Sequence, residues 1–125
     1  MANPNIVAVT AIYGTTTYLT PTNTAATVLL SNAASSGTVM KINQIVAANV
    51  DGTNAVDTTV TINSAAAGGG TAYPIVSTVS VPADASLIVV DKTTAIYLME
   101  NQSIVVTTGT TGSKIAYTIS YELIS

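Results

Sequence analysis

The sequence contains no cysteine, histidine, arginine or tryptophan, and only 7% of its 125 residues are charged. Without cysteine, disulfides, thiol nucleophiles and thiolate metal ligands are excluded. Without histidine, the chain lacks the side chain that most often acts as a general base near neutral pH. Lys41, Lys92 and Lys114 stand apart in a chain of net charge −3, so no basic stripe can follow a nucleic acid or an anionic membrane. We therefore expect neither as a partner.

A membrane span and a secretion signal are also missing. The longest run of large apolar residues, Leu87 to Val90, is far shorter than the roughly 18 residues that a spanning helix needs. The first ten residues, "MANPNIVAVT", lack the basic start and long apolar stretch of a signal peptide. We expect the protein to be soluble and to be retained where it is made, unless the cell is lysed or a particle carries it out.

Threonine, valine and isoleucine dominate what is present, with 22, 15 and 12 copies respectively. Their β-branched side chains suit the pleated surface of a sheet. The mean hydropathy of +0.52 and the scarcity of charge are unusual for an isolated soluble domain. We interpret them as a surface covered by copies of the chain or by a partner, although a stable, neutral-surfaced monomer remains the alternative.

Turn signals divide the chain into about nine short strands, and no window of ten residues has helical apolar spacing with end caps. The predicted strands are 5–14 with a possible extension through 15–20, then 25–31, 38–50, 57–63, 72–81, 86–90, 94–99, 103–108 and 114–123. This pattern predicts an all-β fold, an antiparallel β-sandwich of the jelly-roll kind, without significant helix. We expect a single domain over 1–125, with 1–5 as a flexible N-terminal lead.

The apolar pattern also predicts which side chains face the core. In 38–50, Met40, Ile42, Val46 and Ala48 are expected to share one face, with Ile45 as an exception. Four successive apolar residues in 87–90 cannot alternate between core and solvent, so this strand is expected to be buried on both faces.

The acidic residues are expected to mark turns and not a reaction centre. Asp84, Asp91 and Glu100 fall in separate turns, where a carboxylate can accept hydrogen bonds from local backbone N–H groups. The loop 51–57 could offer oxygens of Asp51, Asn54 and Asp57 to calcium, but its spacing does not match an EF-hand loop, and a solvated hairpin loop is the favoured interpretation. We predict a non-enzymatic protein with no catalytic residues, no metal and no cofactor.

The tyrosines are the only aromatic residues, and they divide into two groups. Tyr117 and Tyr121 share a face with isoleucines, so we expect both in the core. The other four lie near strand ends, where they could anchor an interface or stack against a sugar. These are Tyr13, Tyr18, Tyr73 and Tyr97.

Three segments carry a resemblance to a known group of proteins. They are "KINQIVAANVDGTNAVDTTVTI" (41–62), "AYPIVSTVSVPADASLIVVDKTTAIYLMENQSIVVTT" (72–108) and the terminal "ISYELIS" (119–125), and "NIVAVTAIYG" (5–14) fits as well. In this phrasing of strands and turns the chain resembles small virion structural proteins of tailed bacteriophages, especially those that infect cyanobacteria.

The resemblance implies a non-enzymatic capsid decoration, or cement, protein on the capsid surface of a virion, made in the host cytoplasm. Its implied partners are the major capsid protein and further copies of itself, as a homotrimer or another homo-oligomer. A tail-associated role in a fibre, neck or baseplate, or a carbohydrate-binding module that contacts host glycan, remains the alternative. From the residues themselves, a polar lead into an apolar strand predicts a segment that adds to a neighbour's sheet edge. It comprises Asn3, Pro4, Asn5, Ile6, Val7, Ala8 and Val9.

Overall fold

The computed structural model describes residues 4–125; Asn3 of the predicted contact segment and the start of the predicted lead lie outside the described residues. Nine strands are present, as expected. The helical structure of the described residues consists of two single 3₁₀ turns, Ala66–Gly68 and Lys92–Thr94. The strands are β1 Ile12–Leu19, β2 Thr27–Asn32, β3 Val39–Asn49, β4 Val56–Asn63, β5 Ala72–Val81, β6 Ser86–Val90, β7 Ile96–Leu98, β8 Gln102–Thr108 and β9 Ile115–Ile124.

The strands form two antiparallel sheets, which confirms the predicted sandwich. Sheet A has the order β1-β9-β3-β6, with the short β7 pairing beside β6 along β3, and sheet B has the order β2-β8-β4-β5. Consecutive strands lie in opposite sheets, except that β4 and β5 both lie in sheet B and β6 and β7 both lie in sheet A. The first strand pairs with the last, and the second pairs with the one before last. This interleaving is the double Greek key of a jelly roll.

One apolar core fills the space between the sheets. Its largest fully buried side chains come from both sheets and include Tyr117, Ile119, Ile42, Ile104 and Val60. Tyr121 is half-buried and packs against the same cluster, so both tyrosines expected in the core contribute to it.

Buried asparagines pin the loops to the ends of the strands. The Asn49 amide donates to the carbonyls of Asn54 and Val81, both at 2.9 Å, and its Oδ1 accepts from the Asp51 N–H at 2.8 Å. Asn32 similarly donates to the carbonyls of Thr38 and Leu98. These hydrogen bonds give the buried side-chain amides partners on the backbone, as buried polar groups require.

The predicted alternation along β3 is wrong in its second half. Ile42, Ile45 and Ala47 are buried, whereas Val46 and Ala48 turn to the outside. The reason is a register shift between Ile42 and Gln44 in the pairing with β9, a bulge that inserts one residue and exchanges the two faces beyond it.

The prediction that 87–90 is buried on both faces is also wrong. Val90 is buried and Leu87 and Val89 pack partly on the core, but Ile88 is 57% exposed. β6 lies at the margin of sheet A, and Ile88 pairs with Val46 on the face away from the core. Alternation therefore holds from Ser86 to Val89, and the register shift in the pairing with β3 brings Val90 to the core as well.

The first strand begins later than predicted, at Ile12, and continues past Gly14 to Leu19, within the possible extension through 15–20. Asn5 starts a turn in the backbone ahead of β1, because its Oδ1 accepts from the Val7 N–H at 2.9 Å and its carbonyl accepts from the Ala8 N–H at 3.1 Å. This local turn competes with strand pairing.

Candidate interaction surface

Two of the carboxylates that lie in turns, those of Asp91 and Asp51, are structural acceptors. Asp91 Oδ1 accepts from the backbone N–H groups of Thr93 at 2.9 Å and Thr94 at 3.2 Å, and from the Thr93 hydroxyl at 2.5 Å. These hydrogen bonds, that of the Thr93 hydroxyl first, lower the pKa of Asp91 below its ordinary value. A general acid at neutral pH needs the opposite shift.

Asp51 is engaged in the same way within its own loop. Its Oδ1 accepts from the N–H groups of Thr53 at 2.9 Å and Asn54 at 3.2 Å, and Lys114 Nζ lies 3.9 Å from its Oδ2. These contacts, led by the Thr53 hydrogen bond, lower the pKa of Asp51. Asp57, the third residue of the calcium hypothesis, lies in β4. Within residues 4–125, no three acidic side chains gather as a metal site would require.

The four peripheral tyrosines do not form one platform. Tyr13 and Tyr18 lie on β1 five positions apart, so they point to opposite faces of the strand. Tyr97 lies on β7, in the same sheet but across β9 and β3 from β1, and Tyr73 lies in sheet B. Each ring is exposed on its own. This dispersion does not support the stacking surface that a sugar site would need.

The outer face of sheet A is a broad surface of neutral side chains. The registers place Tyr18, Thr118, Val46 and Ile88 in one row across β1, β9, β3 and β6. The side chain of Tyr18 is 80% exposed and that of Ile88 57%. The adjacent rows carry small or polar residues: Ala116, Ala48 and Ser86 on one side, and Thr16, Ser120 and Gln44 on the other. We call these three rows the neutral face.

Charge lies at the margins of this side of the sheet, where Asp91 and Lys92 line a cavity with Gln44 and Ser120. Lys41 and Glu122 are paired across β3 and β9, so their opposite charges lie side by side. The side chains of the three rows are uncharged, and the opposite charges beside them cancel. Such a surface has little to repel a partner of either sign.

The N-terminal segment covers the far end of the same side. Val39 and Ile124, which pair on the outside of the sheet, are buried without belonging to the main core. Pro4 and Ile6 line a cavity of about 240 Å³ with Val39 and neighbouring side chains. Val7 projects from the segment and is 91% exposed. The structure thus brings the described part of the predicted contact segment, 4–9, to the side that carries the neutral face.

A second cavity, of about 270 Å³, adjoins the bulge of β3. Its lining includes Asn43, Gln44 and Ser120, with Asp91 and Lys92 from the 3₁₀ turn. The Asn43 Oδ1 is buried and accepts no hydrogen bond from the residues described.

The neutral face could not be predicted from the sequence, because its rows depend on a bulge in β3 that no local sequence pattern indicates.

No protein-family model and no curated protein matches the chain. Among solved structures, it is similar to a chain in the structure of infectious bursal disease virus Gx strain, at 12% sequence identity and a TM-score of 0.42. The match covers 91% of this chain and 31% of that chain. A likeness at this level carries no argument about function. No helix within residues 4–125 is long and apolar enough to cross a membrane.

Proposed function

We propose that this chain is a non-enzymatic structural protein of a phage particle, which decorates the capsid and stabilises it by binding across major capsid protein subunits. The observation that carries the proposal is the neutral face, with the exposed row from Tyr18 to Ile88 at its centre. Exposed apolar side chains gathered on one face mark an interaction site more often than scattered ones do. The resemblance in sequence supplies the identity of the partner.

The chemistry of the described residues supports a structural role. The carboxylates of Asp51 and Asp91 hold loops, and the phenol of Tyr117 lies in the core. Jelly rolls serve in viral capsids and in lectins alike, so the fold is compatible with the proposal without selecting it. The dispersed tyrosines favour the capsid over the glycan.

The mechanism is a clamp. Packaged DNA pushes capsid subunits apart, and a protein that contacts two of them adds its own interfaces to those that must break. Stable contacts commonly bury roughly 800 Å² on each partner, although area alone does not set affinity. Many copies on a symmetric shell multiply the effect through avidity.

The test is binding to heads. Purified protein is mixed with empty, expanded heads of the phage that encodes it, and binding is measured by co-sedimentation. We expect saturable binding and heads that resist heat better than untreated heads do. Labelling of virions by antibody in electron microscopy should mark the head in many copies. Label confined to the tail, or heads that bind no protein, would contradict the proposal.

A further inference from the structure

The four margins of the two sheets are unequally protected. Proteins shield free sheet edges with short strands, prolines, bulges or charges, because an open edge pairs with other chains. In sheet B, β5 carries Pro74 and β2 has a register shift between Val28 and Leu30. In sheet A, the margin opposite β1 consists of β6 and β7, with five and three residues. Each of these three margins has a protecting feature.

β1 has none. Its eight residues, "IYGTTTYL", contain no proline and no charge, and its register with β9 is continuous from Ile12 to Leu19. Among the described residues, β1 pairs with β9 alone, so every second residue directs its N–H and C=O away from the sheet. A long, regular and unshielded edge of this kind is typical of a strand that pairs with another chain.

The sequence of β1 suits pairing with itself. When a two-fold axis normal to the sheet relates two antiparallel strands, each side chain and its copy point to the same face of the joined sheet. Directly opposed residues also share a face, so the residue on the axis must lie opposite its own copy. With Thr16 on the axis, Tyr18 lies across from Gly14 of the second copy, and Thr17 lies across from Thr15. A Cβ on Gly14 would meet no atom within 4 Å, so the position is open to a ring from across the strands. Aromatic side chains laid over edge glycines stabilise sheets in this manner.

We infer that β1 pairs antiparallel with β1 of a second copy about Thr16, joining two A sheets into one and two neutral faces into a single surface. No like charges oppose each other in this arrangement, although the chain as a whole is negative. A two-fold contact of this kind closes with two copies. The inference rests on the edge and its sequence, and does not depend on binding to a capsid.

Two charge variants test the edge. Thr16→Lys puts two lysines opposite each other on the axis, at a side chain that is exposed in the single copy. Ser80→Lys adds the same charge at an exposed position of β5. By sedimentation equilibrium we expect a dimer for the unaltered chain and for Ser80→Lys, and an affinity at least about tenfold weaker for Thr16→Lys. A monomeric or trimeric unaltered chain, or equal effects of the two variants, would overturn the inference.

A crosslink tests the register and does not depend on how the lysine variant folds. The chain has no cysteine, so Thr16→Cys carries a single thiol. Cα atoms of directly opposed residues lie about 4.5–5.5 Å apart, within the range of a disulfide. We expect mild oxidation to give a covalent dimer of Thr16→Cys and little of Thr15→Cys, whose thiols would not be opposed. The reverse yields, or none from either variant, would refute pairing about Thr16.

Discussion

The phenol of Tyr117 and the hydroxyl of Thr58 form a hydrogen bond across the core, linking β9 of one sheet to β4 of the other. Both residues are almost fully buried. The Tyr117 phenol also donates to the carbonyl of Thr107 at 3.3 Å, so one side chain serves two strands of the opposite sheet. This polar link is enclosed by aliphatic side chains, where an unsatisfied hydroxyl would be costly.

Tyr117→Phe should therefore destabilise the protein by about 1–3 kcal/mol, because it leaves the Thr58 hydroxyl and the Thr107 carbonyl without this partner. The change is measured as a lower midpoint in urea denaturation. Tyr18→Phe removes an exposed hydroxyl and should stay within about 0.5 kcal/mol of the unaltered chain. Equal effects of the two variants would contradict a structural role for the buried hydrogen bond.

The same phenol predicts a loss of stability in alkali. Burial raises the pKa of Tyr117 above its ordinary value of 10.0. The neutral form is thus favoured in the folded state, and its contribution is full below about pH 10 and falls as the pH rises towards the folded-state pKa. Urea midpoints measured from pH 8 to 11 should fall more for the unaltered chain than for Tyr117→Phe. Parallel curves would show that this group does not set the slope.

Asn49 is expected to be a sensitive polar position. Its amide group makes three hydrogen bonds to the backbone, at Asn54, Val81 and Asp51, in a buried setting. Asn49→Ala leaves two carbonyls and one N–H without this hydrogen-bond partner and should lower the free energy of unfolding by about 2–4 kcal/mol. Asn23→Ala, at an exposed side chain that accepts one hydrogen bond from the Ala25 N–H, should cost less than about 1 kcal/mol.

Asp51 should make the protein sensitive to acid. Hydrogen bonds from Thr53 and Asn54 lower the pKa of Asp51 below 3.8. The carboxylate therefore contributes to stability above about pH 3.8, and the contribution is lost as the pH falls through the folded-state pKa. Urea midpoints between pH 5 and 2 should decline less steeply for Asp51→Asn than for the unaltered chain. Asp57→Asn controls for the change in net charge, since it removes an exposed carboxylate from β4.

The strands were predictable because their signals are local. Turn residues and alternating β-branched side chains predicted both ends of β5 and β6 to the residue. They predicted the ends of the other strands to within a few positions, with the exception of β1. Two features were missed, one that depends on pairing with a distant strand and one that is local. The bulge after Ile42 exchanges the faces of β3, and the Asn5 turn diverts an apolar segment that reads as a strand.

The interaction surface was even less accessible to the sequence. Ile88 reads as core in "SLIVV", and only its pairing with Val46 at a sheet margin places it outside. The row from Tyr18 to Ile88 joins residues that are far apart in the chain, such as the paired Tyr18 and Thr118. Such a row exists only once the topology is known. The contact segment 3–9 stays a prediction from the sequence, and its described part, 4–9, now has a position on the molecule.

The neutral face and the N-terminal segment lie on one side of sheet A, so a capsid partner should sense changes in both. Ile88→Lys places a charge where an apolar contact is proposed and should weaken head binding by about tenfold or more. Val7→Lys tests the predicted contact segment and should also weaken binding. Tyr73→Lys is the matched control, because Tyr73 is 58% exposed, close to the 57% of Ile88, but lies in sheet B.

Binding to heads is measured by co-sedimentation, and urea denaturation confirms that each variant is folded. A loss with Ile88→Lys and Val7→Lys but not with Tyr73→Lys would support contact through this side of the sheet. A loss confined to Tyr73→Lys would place the contact on sheet B and refute the proposed surface. A loss confined to Val7→Lys would leave the segment as the contact and remove the neutral face from it, because a lysine at Ile88 cannot enter an apolar interface without a large desolvation cost.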